Sequence, residues 1–311
     1  MNLDNLIIAS FCQLDEAMKE LLPQLPKARL RARAPQPKLC DSEVLTMEVV
    51  GAYLGFYQDK ALFDYFRRHY LHFFLALASL HRTTFVRQAA NLWKLKERLW
   101  QQLLKNALPQ CHLSFLVSAP LPVCHGVRST FCRRFRYADS TGLQATYGHD
   151  HATNQTFWGF RVHLHVSWPG FITRFVLAPG NVQELKVAPQ LLAGKDGLVL
   201  GDRNYWSPPL QAQLSLAAPG LKLLVPYKKK ALDPTPRQSR QITRWRYRLA
   251  QWAQRLSLKR VWARDVWHLS NRLLRAVLRH TICCRLNVQA GKPALQLATL
   301  CNGNLHITLA T

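Results

Sequence analysis

The stretch Gly197-Leu-Val-Leu-Gly-Asp-Arg-Asn-Tyr205 decides the fold. A short apolar run bounded by glycines is typical of a buried strand, and Asp202 follows that run directly. In open α/β sheets, ligands and metals bind at the carboxyl ends of such strands. A turn or helix cap is the other interpretation of this acid. An acid at a strand exit in a chain this basic favours a functional site, so Asp202 is the first candidate residue.

Segments on both sides of this stretch predict the remainder of a mixed sheet. Apolar and polar residues alternate strictly over 160–166, as in a strand with one buried face. Gly170 marks a hairpin between this strand and the next. The other predicted strands cover 113–117, 171–177 and 221–226. The predicted helices cover 181–192, 241–257 and 265–286, with a basic loop at 228–240. This order predicts an α/β fold.

The N-terminal residues predict a helical bundle. Asp41 is a plausible N-cap of one helix, and Thr84 of a longer one. The apolar positions of the longer helix recur at helical spacing. Its opposite face carries Arg87, Lys94, Lys96 and Arg98. The predicted domains are a helical, DNA-binding region at 1–107, a catalytic core at 108–287 and a tail at 288–311.

The charge of the chain points to a polyanionic partner. The 311 residues carry a formal net charge of +25, with 42 Lys or Arg against 17 Asp or Glu. Residues 222–285 hold 17 of those cations and two acids, a net +15. This excess is larger than solubility requires, and nucleic acid is the usual partner. A basic, RNA- or ribosome-associated protein is a more distant alternative.

The predicted DNA-binding residues lie on the helix at 241–257 and in the loop before it. Three arginines spaced four apart repel each other unless phosphates neutralise them. These candidate residues are Lys228, Lys229, Lys230, Arg240, Arg244, Arg248 and Arg255.

Membrane and secreted classes are disfavoured. The sequence has no apolar run of transmembrane length and no basic region typical of a signal peptide. Its eight cysteines form no CxxC pair and predict neither a zinc site nor a disulfide framework. A reducing cytosol, with association to the nucleoid, is the expected location.

Two further sets of residues are candidates for a functional site. Asp139, in Asp-Ser-Thr-Gly, either follows a short strand and faces Asp202 or belongs to a turn. His163 and His165 share one face of a strand. They are more often residues of a polar sheet face than ligands of a phosphate or metal.

An ordered series of segments resembles the bacterial insertion-sequence transposases, which have an RNase H-like core and a DDE acidic triad. The resemblance covers about residues 35–300. Its N-terminal segments are Pro35-Gln-Pro-Lys-Leu-Cys-Asp-Ser-Glu-Val-Leu-Thr and His81-Arg-Thr-Thr-Phe-Val-Arg. Those of the core are Pro120-Leu-Pro-Val-Cys, Tyr147-Gly, Phe157-Trp-Gly-Phe-Arg-Val-His-Leu, Leu177-Ala-Pro-Gly-Asn-Val and Gly201-Asp-Arg-Asn-Tyr. The last is Asn271-Arg-Leu-Leu-Arg-Ala-Val-Leu-Arg-His-Thr.

The resemblance implies DNA cleavage and strand transfer by two Mg²⁺ ions held on three carboxylates. It places the second acid on Asp202. Val117 stands where the family carries the first acid, and Asp139 is the substitute that the sequence offers. The family's third acid is a Glu on the helix at 241–257, where this chain has none, and Asp265 is the nearest later acid.

These departures leave two functions open. The chain is either a transposase acting on transposon ends and target DNA with Mg²⁺ as its ancestral cofactor, or a non-catalytic DNA-binding remnant of one. A homodimer is compatible with both. If Asp139 is a turn residue, we expect Val117 to lie beside Asp202 on the adjacent strand.

Overall fold

The computed structural model describes residues 1–25, 36–105, 107, 112–150, 153–227, 232–254 and 263–301. The chain divides into two compact units. The helical unit comprises Met1–Lys105 and Leu278–Thr311, and the sheet unit comprises Asn106–Val277. The segment from Leu278 onward therefore groups with the N-terminal helices, whereas the sequence analysis divides the chain at 107 and 287.

The N-terminal part of the helical unit contains five α-helices among the described residues. They are α1 (Leu3–Leu21), α2 (Asp41–Tyr53), α3 (Asp59–His69), α4 (Arg82–Asn91) and α5 (Trp93–Lys105), with 3₁₀ turns at Leu22–Gln24 and Leu75–Ala78. Cys40, and not Asp41, is the N-cap of α2. Its sulfur accepts from the Glu43 amide while the Glu43 carboxylate accepts from the Cys40 amide, which completes a capping box.

The long helix predicted from Thr84 is two helices, with a break at Leu92. A buried lysine lies just after this break. Lys96 donates from Nζ to the carbonyl of Ala89 at 2.9 Å and pairs with Glu48 at 2.5 Å. Its side chain is 0% exposed, so the prediction that Lys96 lies on the solvent face is wrong.

The sheet unit contains one six-stranded mixed sheet. Its strands are β1 (Leu113–His125), β2 (Thr146–Asp150), β3 (Gln155–Ser167), β4 (Phe171–Pro179), β5 (Gly197–Leu200) and β6 (Leu221–Leu224). The order is β2-β3-β1-β5-β6, and β4 pairs with β3 on the same edge as β2. The pairs β1–β5 and β5–β6 are parallel, and the others are antiparallel.

The remaining helices are α6 (Glu184–Leu192), α7 (Pro208–Ala217), α8 (Pro236–Gln254) and α9 (Val266–Gln289). Short 3₁₀ helices lie at Gly126–Phe131, Arg203–Tyr205 and Leu297–Thr299. The predicted fold class is confirmed: an α/β, RNase H-like mixed sheet flanked by helices and preceded by an all-helical region.

Each face of the sheet packs against its own apolar cluster. On one face, α6 and α7 pack on residues that include Leu116 of β1 and Val199 of β5. On the opposite face, the start of α9 packs through Leu269 and Leu273 on residues that include Leu121 of β1. These faces are called the α6 face and the α9 face below.

Strand β1 continues well past its predicted end at Val117, through Pro120 and Pro122. The parallel partner β5 pairs only as far as Phe115, so the later part of β1 has one unpaired edge. Proline lacks an N–H donor and is tolerated on such an edge. Strand β2 was not anticipated either, because its residues Thr146–Asp150 are mostly polar. No helix of the described residues is long and apolar enough to cross a membrane.

Candidate functional site

Asp202 lies two residues beyond the end of β5. It is the N-cap of the 3₁₀ helix Arg203–Tyr205, and its Oδ1 accepts from the Asn204 amide at 2.9 Å. The predicted position at the carboxyl end of the strand is therefore present, and the carboxylate also serves as a helix cap. Whether it acts in catalysis or binds a metal stays a prediction.

Val117 lies on β1, two residues past the last residue of that strand that pairs with β5. The parallel register pairs Phe115 with Leu200, and continuing it by two residues sets Val117 opposite Asp202. Val117 is only 5% exposed and pairs with Leu164 on β3. This extended register favours the arrangement with Val117 next to Asp202, which stays a prediction because the observed pairing ends two residues earlier. In that arrangement, an apolar side chain occupies the position where a second carboxylate is needed for a shared metal.

Asp139 lies in a turn between the 3₁₀ helix Gly126–Phe131 and β2. Its Oδ1 accepts from the Thr141 amide at 2.9 Å, the Thr141 hydroxyl at 2.6 Å and the Leu143 amide at 3.0 Å. Partial burial raises the pKa of this carboxyl, but the hydrogen bonds from Thr141 and Leu143 outweigh it and leave the pKa below its usual value. The same oxygen is committed to the turn, as in an Asx turn.

The helix that should carry a third acid, α8, has no Asp or Glu in its sequence. Asp265 precedes α9, where its Oδ1 accepts from the His268 amide at 2.8 Å. Burial raises the pKa of Asp265, and the contacts with His268 more than compensate, so that the pKa is lowered. Asp265 therefore behaves as a helix cap. Among the described residues, no group of three or more His, Cys, Asp or Glu is placed to hold a metal ion.

Sequence analysis missed Glu184, the first residue of α6. Its Oε1 accepts from the Ser118 hydroxyl at 3.3 Å and from the side-chain amide of Asn204 at 3.4 Å. The same oxygen lies 3.6 Å from Nη1 of Arg161. Ser118 and Val117 are adjacent in β1, and neighbouring strand residues point to opposite faces. Glu184 is therefore on the α6 face, not beside Val117. An acid opening a predicted helix was the available signal.

A cleft of about 750 Å³ adjoins Glu184 and the 3₁₀ helix that Asp202 caps. Its lining includes His149, Arg161, Glu184, Arg203 and Trp206. Glu184 pairs with Arg161 and so neutralises one of the two arginines of the lining. Of the five lining residues named above, Arg203 is then the cation left to balance an anionic group that enters the cleft.

His163 and His165 are buried, 0% and 3% exposed, so the expected polar sheet face is a core position instead. Burial lowers the pKa of His163 to about 4 and that of His165 to about 3. His165 Nδ1 contacts the Thr173 hydroxyl at 2.5 Å. Neither nitrogen of His163 has a hydrogen-bond partner among the described residues. These rings are neutral at pH 7.

The predicted DNA-binding residues are placed only in part. Arg240 and Arg244 lie on α8 with exposed side chains. Arg248 belongs to the same helix, but its side chain lies outside the described part of the structure, as do Arg255 and Lys228, Lys229 and Lys230 entirely. Farther along, Arg275 and Arg279 are buried, so the charge at 222–285 is not all on the surface.

Residues 109–247 match a family model described as a transposase DDE domain, which confirms the resemblance over these residues. No curated protein matches the chain. A solved structure, the "Cryo-EM structure of piggyBac transposase synaptic complex with hairpin DNA (SNHP)", is similar with 11% identity and a TM-score of 0.46. That similarity covers 96% of this chain and 78% of the other.

Proposed function

We propose that this chain, whose residues 109–247 match the transposase DDE domain, is a DNA-binding protein derived from an insertion-sequence transposase that no longer cleaves DNA. The observation that carries the proposal is the buried, apolar Val117 on β1, at the position that the β1–β5 register would set opposite Asp202 if it were extended by two residues. A carboxylate in that position is required if two adjacent strands are to share a metal ion between them.

The residues present do not fit two Mg²⁺ ions. Magnesium requires near-octahedral oxygen coordination, and two-metal cleavage needs several carboxylates converging on one point. Val117 supplies no oxygen, and Oδ1 of Asp139 already accepts hydrogen bonds from the amides of Thr141 and Leu143 in its turn. Glu184 lies on the α6 face, where Arg161 already neutralises it. Helix α8 offers no carboxylate at all. We therefore assign no cleavage step to these residues.

DNA binding is the part of transposase function that the surface still supports. Five cations between Lys222 and Arg264 have exposed side chains among the described residues of the sheet unit: Lys222, Arg237, Arg240, Arg244 and Arg264. Phosphate contacts of this kind are weakly specific for sequence and strongly dependent on salt. The proposed partners are transposon ends and target DNA, held without chemistry.

The competing function is an active transposase using Asp202 with Asp139 and Asp265. It requires Asp139 to leave its turn and approach Asp202, and requires Asp265 to leave its cap on α9. Each carboxylate would lose hydrogen bonds that lower its pKa. We prefer the non-catalytic protein because it needs no such rearrangement.

The two functions are separated by a nicking and binding experiment. Supercoiled plasmid is incubated with the chain in 5 mM Mg²⁺ or Mn²⁺, and binding to a labelled duplex is measured from 50 to 200 mM salt. We expect no nicking and an affinity that falls by about 10³-fold over that range. Metal-dependent nicking that Asp202→Asn abolishes would overturn the proposal, as would a flat salt response.

A matched variant tests the cause of the loss. Val117→Asp combined with Ala250→Glu restores a carboxylate on β1 and one on α8. If the missing acids explain inactivity, this variant is the one expected to gain metal-dependent nicking, and Val117→Asn with Ala250→Gln is its uncharged control.

A further inference from the structure

The segment between β1 and the Asp139 turn carries a second concentration of positive charge. Residues 126–138, the 126–138 loop, have the sequence Gly-Val-Arg-Ser-Thr-Phe-Cys-Arg-Arg-Phe-Arg-Tyr-Ala. The loop contains four arginines and no acid. All four have exposed side chains: Arg128, Arg133, Arg134 and Arg136. The loop lies outside the region at 222–285 and outside the cleft at Glu184.

Large apolar side chains stand among these arginines. Phe131 is 87% exposed and Tyr137 is 82% exposed, and Val127 reaches 91%. A single exposed apolar residue is ordinary, but two aromatic rings within seven positions, interleaved with arginines, form a distinct pattern. Neither ring packs in the core of the fold, so core packing does not account for the two aromatic residues.

The loop is anchored, so the rings are presented in a fixed setting. Phe135 is buried and packs edge-on against Phe160, with 5.2 Å between ring centroids. The guanidinium of Arg136 donates to the carbonyls of Ser129 at 3.0 Å and Thr130 at 2.7 Å. The Ser129 hydroxyl donates to the Gly126 carbonyl at 2.6 Å. A loop held this way loses little conformational entropy when a ligand binds.

We propose that the 126–138 loop binds a DNA strand with unpaired bases. Phe131 and Tyr137 stack on bases, and Arg128, Arg133 and Arg134 contact the flanking phosphates. Exposed aromatic rings recognise base faces only where those faces are not covered by duplex stacking, and cationic side chains beside them follow the backbone. The inference rests on the proposed function for DNA as the partner, and it adds that unpaired nucleotides are recognised.

Charge complementarity distinguishes this occupant from a second copy of the chain. A copy carries the same net +25 and would bring another arginine-rich surface against this one. Helix α8 is also less suited to stacking than the loop. Its Trp245 ring is already engaged by Trp168, with 5.8 Å between centroids. Among the described residues, the loop thus brings together two rings, 87% and 82% exposed, and four exposed arginines.

The test compares single-stranded and duplex DNA on the full chain. Fluorescence anisotropy measures binding of a labelled 20-nucleotide dT strand and of a labelled 20-base-pair duplex at 100 mM salt. For Phe131→Ala with Tyr137→Ala, we expect at least about tenfold weaker binding of the single strand. Binding of the duplex stays within about twofold. Phe131→Tyr with Tyr137→Phe keeps both rings and should bind the single strand and the duplex with the same affinities as the wild type.

Leu216→Ala is the matched control, since Leu216 is 86% exposed on α7 and lies outside the loop. It should change neither affinity. Equal losses on single strand and duplex, or no loss on either, would overturn the stacking assignment. So would tighter binding of a 20-nucleotide rU strand than of dT. Duplex binding unaffected by the loop variants leaves the proposed function standing, whereas failure of the wild type to bind any DNA removes both.

Discussion

Each unit contains an ion pair away from bulk water, and the two pairs differ in their access to solvent: the pair of the helical unit is buried, and that of the sheet unit is partly buried. In the helical unit, the side chains of Lys96 and Glu48 are 0% and 2% exposed. In the sheet unit, those of Arg161 and Glu184 are 14% and 13% exposed and border a cleft of about 750 Å³. The first pair is sealed, while the second is open on one side.

This difference separates a structural role from one available to ligands. A charge removed from water must be compensated inside the protein, so Lys96 and Glu48 are tied to each other and cannot exchange partners. Arg161 and Glu184 keep contact with water, so either group can respond to an anion or cation in the cleft.

The largest expected effect is in the helical unit. Glu48→Gln or Lys96→Met leaves one buried charge without its partner and should destabilise the protein by about 3–5 kcal/mol. Urea unfolding followed by circular dichroism measures the change. The double variant Glu48→Leu with Lys96→Met removes both charges and should recover most of the loss.

The exposed pair Asp15–Lys19 is the control for this prediction. Its atoms are 2.8 Å apart and its lysine is 75% exposed. Lys19→Met should therefore change stability far less than Lys96→Met, because solvent screens the pair. Equal losses of unfolding free energy in Lys19→Met and Lys96→Met would mean that burial does not determine how much stability is lost when an ion pair is broken.

The next effect is a pH dependence centred on the buried histidines near the open pair. The pKa of His163 is lowered to about 4, chiefly by burial, with Arg161 acting in the same direction and Glu184 against it. The unfolded state binds a proton near pH 6.5 and the folded state does not. The stability is therefore complete above pH 6.5 and is lost as pH falls toward 4. At pH 5 the loss should be about 2 kcal/mol for this residue.

Unfolding free energies of the wild type and His163→Leu at pH 7.5 and pH 5.0 measure this contribution. The variant should lose less stability than the wild type on acidification by about 2 kcal/mol. His125→Gln, which alters an exposed histidine, should behave like the wild type. The same acid sensitivity in His163→Leu would assign the effect to other groups.

A smaller effect is expected when the open pair is broken. Glu184→Gln removes the charge that faces Arg161 but keeps an acceptor for the hydroxyl of Ser118. Because Arg161 can recruit water or an anion from the cleft, the expected loss is about 1 kcal/mol. Thermal unfolding with and without 50 mM phosphate measures it, and phosphate should stabilise the variant more than the wild type. A loss as large as that of Glu48→Gln would show that this pair is sealed too.

The position of Asp202 was largely predictable from sequence. An apolar run between glycines indicated the strand that ends two residues before Asp202. This signal is local, because strand alternation and turn chemistry depend on neighbouring residues. The Asp-Ser-Thr-Gly sequence offered the turn as one of two roles for Asp139, and the hydrogen bonds of Asp139 to Thr141 and Leu143 place it in that turn.

The buried charges were not predictable in this way. Helical periodicity put Lys96 on the same surface as Lys94 and Arg98, and only the distant Glu48 explains why it is inside. Likewise, Glu184 reads as an ordinary first-turn acid until β1 brings Ser118 to it. Such residues are specified by tertiary pairing, which a single sequence does not reveal.

The smallest effect concerns Asp202, the acid that has no carboxylate on the adjacent strand. If Val117 prevents a metal from being shared, 10 mM Mg²⁺ should shift the melting temperature of the wild type by less than about 1 °C. A site with a dissociation constant of 0.1 mM would instead stabilise the folded protein by about 2.7 kcal/mol at that concentration.

Val117→Asp places a second carboxylate in register with Asp202. The repulsion between the two acids should lower the melting temperature without metal and make it rise when Mg²⁺ is added. Val117→Asn has nearly the same shape without the charge, so it should melt lower without regaining stability from Mg²⁺. A clear Mg²⁺ shift in the wild type that Asp202→Asn removes would show that Asp202 binds metal without help from β1. Asp202 would then be a third kind of charged site beside the sealed and the open ion pair, one that is stabilised by a metal ion.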